Sequence, residues 1–490
     1  MSTTTIEKES TNGGIENPLH RLTDEQLEQL GKELDAIHDE VYESLGERDR
    51  TYITSMIAFQ RRLLVFARIE LLAARFSPAW LVGTATLGTA KIIENMEIGH
   101  NVMHGQWDWM NDPKIHSDVW DWDTASTAES WKHSHNYIHH TYTNIRGKDK
   151  DLGYEIMRID PEQKWHPIYL FQPLYNLVLM GLFEWGVALH DLDLEAFRKG
   201  EKSTGEMIEG LKGISGKARD QITKDYIAWP LVSAAAAGAV AFLWHAREAA
   251  NTVPSSPKRK GGFLRDKLQG RKRGQVYGEA ASKALETGRK TFKATVKANA
   301  TGNVIRNLWT HAIIFCGHFP DQTYTFSEDE TRDETKGGWY IRQLIGAANI
   351  QGSPMFHVMS GNLGYQVEHH LFPDMPSTRY AEIAPRVKEI CERYDLPYNS
   401  GPFFQQWGMV NRTIARLAFP GGKPRQKPGP YKGGDGEVRP ANANELAAVR
   451  SNGANGGAPQ SRGERPESVR SSGPERGEEQ EGVKVETPEG

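Results

Sequence analysis

The sequence predicts an all-α integral membrane protein, and three observations carry that prediction. Residues 226–246 form an apolar run with no formal charge, long enough to cross a hydrocarbon core of roughly 30 Å as a helix. Histidines recur four residues apart at His100 and His104 and again at His135 and His139, a spacing that puts both rings on one helix face. Leu27, Leu30, Leu34, Ile37, Val41 and Leu45 follow the same period, so residues 24–46 read as a surface amphipathic helix.

In chain order, residues 1–20 are rich in Thr, Ser, Glu and Gly and are expected to be disordered. Thr23 then reads as an N-cap, with Asp24 and Glu25 in the first turn and Gln26 completing a capping box. Ahead of Pro78 lies an apolar stretch interrupted by Arg68 and Glu70. Residues 78–96 carry only Lys91 and Glu94, 167–190 only Glu184, and 303–319 only Arg306. Such runs suit membrane helices, although buried helices of a large soluble α-protein have similar lengths. A basic insertion is expected at about 251–298; residues 247–302 hold 14 Lys/Arg against 4 Asp/Glu. Residues 421–490 are mostly Pro, Gly, Ser, Glu and Arg, with no aromatic after Tyr431. They cannot bury enough surface to offset chain entropy and read as a disordered tail. One domain remains, over 21–420.

Composition excludes several classes. The net charge of −4 gives no electrostatic case for nucleic acid. Cys316 and Cys391 lie far apart and form no CxxC, so a disulfide or thiolate metal site is not expected and a reducing cytoplasmic face fits. The polar first residues hold no apolar core of a secretory signal. The chain shows no HPGG haem motif, no GxGxxG fingerprint and no cysteine set for an iron–sulfur cluster.

The chemistry lies in the histidines. Three boxes, His100-x3-His104, His135-x3-His139-His140 and Gln366-x2-His369-His370, are joined by His318 between the second and third. Neutral imidazole binds iron, zinc, copper and nickel. Eight histidines exceed the three or four ligands of one zinc, which favours two metals. His116, His133, His166, His190, His245, His311 and His357 lack box spacing and read as structural or ligand-orienting. Asp149, Asp151 and Asn144, just after the second box, are candidates for orienting ligand N–H groups or an acyl head group; a solvated acidic loop is the plain alternative.

The wording around the boxes, IENMEIGHNVMHGQWDWMNDP (93–113), HNYIHHTYTNI (135–145), FCGHFPD (315–321) and YQVEHHLFPDMPS (365–377), resembles the membrane fatty acid desaturases. Within them it is similar to the actinobacterial acyl-CoA Δ9 desaturases, which act on stearoyl-CoA. The resemblance covers roughly 25–415 and leaves 251–298 unmatched. It implies about four transmembrane helices carrying a cytoplasmic, histidine-rich di-iron cap in a bacterial plasma membrane. It implies two iron ions held by His100, His104, His135, His139, His140, His318, His369 and His370. Gln366 stands where many relatives place histidine, binding directly or through water. It further implies O2 as co-substrate, a long-chain acyl-CoA and a separate reductase or small redox protein as electron donor, because no redox module is visible here.

The boxes must share one face, so an even number of spans should separate the second from the third. The resemblance makes 167–190 interfacial and pairs 226–246 with 303–319 as a hairpin. That places the basic residues 247–302 on the outer face, against the positive-inside tendency; they read as an anionic-headgroup site or as a solvated insertion. A related di-iron hydroxylase would use the same boxes. A soluble di-iron desaturase would need two Glu-x-x-His motifs, and only Glu97-x-x-His100 is present. A non-catalytic membrane metal-binding protein is the third alternative.

Overall fold

Thr23 opens the first helix by the expected capping box: its hydroxyl accepts from the Gln26 N–H, and the Gln26 side chain accepts from the Thr23 N–H. The structure, a computed structural model, describes residues 18–252, 263–320 and 322–422. Most of the expected disordered ends, 1–17 and 423–490, and residues 253–262 of the expected insertion lie outside the described residues. The principal helices are α1 (Asp24–Glu43), α2 (Glu47–Glu70), α3 (Ser77–Ile92), α4 (Gln172–Gly181), α5 (Phe183–His190) and α6 (Thr204–Ile222). They continue with α7 (Trp229–Thr252), α8 (Phe263–His318), α9 (Lys336–Gly346), α10 (Gln366–Leu371), α11 (Tyr380–Arg393) and α12 (Phe403–Leu417). Among the described residues, the strands that depart from the all-α expectation are β1 (Asn349–Gln351) and β2 (Ser400–Pro402). They pair in parallel with Ile350 opposite Gly401.

Two layers result. α2 and α3 form one hairpin and α7 and α8 another, and α3 packs along α8. Above them a cap is built from α1, α9, α10 and α11, whose core includes Leu30, Leu34, Trp339, Tyr340, Leu371 and Phe372. The α1 stripe buries Leu27, Leu30, Leu34, Ile37 and Val41, so the amphipathic helix is present and covers the cap.

Where it is described, the expected basic insertion is helical. Residues 263–298 continue without a break into the apolar stretch at 303–318, giving a helix of 56 residues, roughly 84 Å long. Its composition reads as a charged loop, but its period is helical. Ala280, Thr287, Thr291, Thr295 and Asn299 are buried on one face, while Lys283, Arg289, Lys290, Lys293 and Lys297 are exposed on the other. Small residues let the α7 and α8 backbones approach: a Cβ on Gly288 would stand 3.1 Å from the Ala234 carbonyl oxygen.

Arg68, which interrupts the apolar sequence of α2, is buried. It donates to Asp225 at 2.9 Å and Asn299 at 2.6 Å, and Lys91 reaches the other Asp225 oxygen at 2.9 Å. Among the described residues, one helix, 204–248, is long and apolar enough to cross a membrane. Its outward side chains, Leu231, Val232, Val240, Leu243 and Trp244, are exposed, as are Phe59, Val65 and Phe66 of α2.

Candidate metal centre

The first two histidine boxes sit where a helix widens. Ile93–His100 and Lys132–His139 are π-helical and run into short α-turns, Asn101–Met103 and His140–Tyr142. A π-helix bonds i to i+5, so the residue five along returns to the starting face; such turns occur frequently at functional sites. In the first box the His104 N–H still donates to the His100 carbonyl at 3.1 Å, as an α-helical pair does; the second box departs from that expectation. The wider turn lets His139 stack on His135 at 5.0 Å while His140 stands 5.1 Å from the same ring. Trp131 stacks on the other side of His135 at 4.6 Å.

Folding brings all nine candidate ligands together. Ring nitrogens of His100, His104, His135 and His369 lie within 4.8 Å of one another, and so do those of His139, His318 and His370. His140 stands between the two groups, its ring 4.8 Å from His104, 4.9 Å from His369 and 4.6 Å from His370. The Gln366 Nε2 is 3.0 Å from the His318 Nε2. Its Oε1, the atom able to bind a cation, is buried without a partner. Gly317 permits this approach: a Cβ there would meet the Gln366 Cγ at 2.8 Å.

Several ring nitrogens of the cluster lack partners. The Nε2 atoms of His104, His135, His139, His140 and His369 are buried and without a hydrogen-bond partner, as is the His318 Nδ1. Buried polar atoms are almost always satisfied, and isolated imidazoles gain nothing from facing one another. Clustered nitrogen lone pairs of this kind fit a metal of the iron or zinc class.

The opposite ring atoms are anchored. His139 Nδ1 lies 3.0 Å from Asp149, His135 Nδ1 3.2 Å from Asp151, and His100 Nδ1 3.2 Å from the Asn101 Oδ1. His369 Nδ1 meets the Tyr380 hydroxyl at 3.2 Å, and His370 Nδ1 meets the Gln343 Oε1 at 3.2 Å. Such partners fix the tautomer and ring direction of metal ligands. Asn144 does a different job from the one expected. Its side chain donates to the Tyr324 and Gly346 carbonyls, and its backbone N–H holds Asp149 at 2.6 Å.

Burial, then the neighbouring His135, pushes His100 down to about 3. Burial and adjacent imidazoles hold His104, His140, His369 and His370 well below their ordinary value. Neutral rings are the metal-binding form. Burial would lower His139 too, but the Asp149 and Asp151 carboxylates outweigh it and raise that ring.

Of the unboxed histidines, His190 joins the site indirectly, its Nε2 3.0 Å from the second oxygen of Asp151. His311 pairs with Asn176 at 3.0 Å, and His357 stacks on Tyr365 at 4.3 Å. Sequence reasoning missed Asn101, Gln343 and Tyr380. Asn101 adjoins a box, but the other two lie on α9 and α11 and carry no local signal. A cavity opens beside the first group, lined by His100, Trp131, His135, Tyr154, Phe183 and Ile314 among others.

Comparison with known proteins adds an independent line. The family model described as Fatty acid desaturase matches residues 77–250 and 298–402. An NADPH-dependent stearoyl-CoA 9-desaturase of Mycobacterium tuberculosis is 43% identical over 399 residues, 81% of this chain and 82% of that protein. An sn-1 linoleoyl-lipid 6-desaturase of Synechocystis is 24% identical, covering 67% of this chain and 77% of its own length. Human fatty acid desaturase 3 is 34% identical over 23% of this chain and 24% of its own. No solved structure matches.

Proposed function

The chain belongs to the fatty acid desaturase family, and on that premise we propose that it is a membrane di-iron acyl-CoA desaturase. It places a cis double bond, at Δ9, in a long-chain saturated acyl-CoA. The observation that carries the reading is the pair of histidine groups with unpartnered, buried ring nitrogens. Substrate class and bond position rest on the 43% identical stearoyl-CoA 9-desaturase.

The ligand assignment follows. His100, His104, His135 and His369 would hold one iron and His139, His318 and His370 the other. His140 lies between the groups, and Gln366 offers an amide oxygen to the second. Two irons there would supply the redox capacity to activate O2 against an unactivated CH2–CH2 pair, which no side-chain acid or base can attack. O2 takes four electrons, two from the substrate bond and two from a donor; two substrate hydrogens and two solvent protons complete two waters.

The chain's own residues hold, dry and orient. Asp149, Asp151, Asn101, Tyr380 and Gln343 keep each anchored ring turned inward. Trp131, Tyr154, Phe183 and Ile314 line the cavity beside His100 and His135 and exclude water from an acyl chain lying there. Asp149 and Asp151 thus orient ligands rather than meet an acyl head group.

We place the α2–α3 and α7–α8 hairpins in a bacterial plasma membrane, with the cap on the cytoplasmic side and lipid against the exposed apolar faces. The long-chain acyl-CoA enters from that side. Electrons come from a separate reductase or small redox protein fed by NADPH, because the sequence holds no dinucleotide fingerprint.

Expression in a host lacking its own desaturase, followed by lipid analysis, tests the reading. Cis-monounsaturated fatty acids are expected. A hydroxylated product, or none from iron-replete protein given a competent reductase, overturns it.

A further inference from the structure

Two apolar stretches of the sequence each carry a single charge, Glu184 in 167–190 and Arg306 in 303–319. Nothing in the metal centre uses either residue. The fold brings them together: Arg306 is ion-paired with Glu184, and the two side chains are 1% and 4% exposed. Both also line the cavity that contains His100 and His135.

The pair is held from every side. Gln221 donates to the other Glu184 oxygen at 2.8 Å, and Arg306 donates to the Asp123 carbonyl at 2.9 Å. The Asn307 Oδ1 accepts from the guanidinium at 3.1 Å, while its Nδ2 donates to the Gly181 carbonyl at 2.9 Å. Five segments, α4, α5, α6, α8 and the loop at 123, therefore fix one charged wall.

That wall is set back from the metal ligands. Arg306 lies twelve residues before His318 on one helix, roughly 18 Å along its axis. Glu184 lies six residues before His190, the residue that contacts the ligand-orienting Asp151, roughly 9 Å along α5. Between them the cavity presents Tyr154, Phe183 and Ile314, surfaces suited to methylene groups.

We infer that the Glu184–Arg306 ion pair is the polar end wall of the acyl-binding cavity and sets the longest chain the enzyme accepts. The inference rests on the desaturase reading above. A hydrocarbon end advancing past Tyr154 and Phe183 would have to displace buried charges from their hydrogen bonds. A methyl group offers nothing in exchange, so the cost of uncovering the pair falls wholly on the longer substrate. The residues act as a specificity determinant; they do not take part in the reaction.

The test uses the full chain in membranes, loaded with iron and supplied with its reductase system. Saturated acyl-CoAs of graded length are compared by kcat/KM. Replacing both charges together (Glu184→Leu with Arg306→Met) removes the wall without stranding one buried charge. It should move the length optimum upward, with about a tenfold change in the ratio of kcat/KM values for neighbouring lengths, the size that one methylene commands in an apolar pocket. The exchanged pair (Glu184→Arg with Arg306→Glu) should keep the original cutoff.

A second measurement needs no variant. On the wild-type enzyme, an acyl-CoA of the longest accepted length bearing an ω-hydroxyl should be processed as well as its methyl counterpart, because the hydroxyl can bond to the wall. Rejection of the ω-hydroxyl substrate, or an unchanged length profile in a folded, iron-replete double variant, overturns the inference. Failure of the wild type to desaturate any saturated acyl-CoA would sink the desaturase reading instead.

Discussion

The helical bundle and the histidine cap both bury polar side chains, and they treat them in opposite ways. In the bundle, Arg68, Lys91 and Asp225 lie in mutual ion pairs at 2.9 Å, with Asn299 completing the set. In the cap, ring nitrogens of seven histidines crowd together with the His140 ring between them, and several lack a hydrogen-bond partner. Satisfied buried polarity holds helices in register. Unsatisfied polarity converging on one point marks room for a cation. His38 sharpens the contrast, since both its ring nitrogens contact carboxylates, Asp39 and Asp374, each at 3.4 Å. It is a histidine of the first kind, inside the second region.

The largest effect expected from this contrast is in the cap. Alanine at His100, His104, His135, His139, His140, His318, His369 or His370 should lower desaturation by at least about a thousandfold, because a metal centre acts as a unit. The protein should still reach the membrane, and its iron should fall below the two per chain expected of the wild type. One tightly bound zinc per chain in active material would break the di-iron assignment, and robust turnover by the His318 variant would remove that residue from it.

In the bundle the loss should be of folding rather than chemistry. Asp225→Ala leaves Arg68 without a carboxylate and Lys91 with Asp123 alone, at 3.3 Å, and should destabilise the protein by about 3 kcal/mol, read as loss of folded, detergent-extractable material. A variant that folds normally but fails to bind iron would show that the pairs serve the metal site instead.

An intermediate effect is expected at the join. His190→Ala leaves Asp151 with one fewer partner and should weaken iron retention about tenfold to a hundredfold, the range for orienting partners of metal ligands. Iron content after graded chelation reads this directly. Retention equal to that of His116→Ala, a partly exposed residue expected to change stability by less than about 0.5 kcal/mol, would return His190 to a purely packing role.

The smallest effect belongs to His38. Burial alone would lower it, but the hydrogen bond to Asp374, with help from Asp39, raises it to about 9. Its folded value lies above its ordinary 6.5. The stabilisation is therefore complete below that pH and lost as pH rises through about 9. The difference in stability between wild type and His38→Gln should shrink across this window. A difference that does not change with pH would mean His38 holds α1 by packing alone.

Much of the site was legible because ligand chemistry leaves local marks. Box spacing named the seven boxed histidines, and the resemblance to membrane desaturases added His318 and Gln366. Asp149 and Asp151 were visible because they follow a box closely. Gln343 and Tyr380 were not, since a side chain that orients a ligand from another helix needs no particular spacing in its own. The basic excess at 263–298 gave no sign of its conformation, whereas a stripe of small residues makes it one face of a long helix.

The sequence by itself determined the helical class, the capped amphipathic α1, the apolar stretches and the metal-binding residue types, because these depend on short-range periodicity and side-chain chemistry. Only the tertiary structure decided the rest. It sorted the histidines into two groups and widened two helices into π-turns that bring His139 and His140 beside His135. It also paired Arg68 with Asp225 and Glu184 with Arg306 across long stretches of chain. These are contacts between distant residues, chosen by which arrangement satisfies the most buried charge and fills the most space at once. No local pattern carries that information.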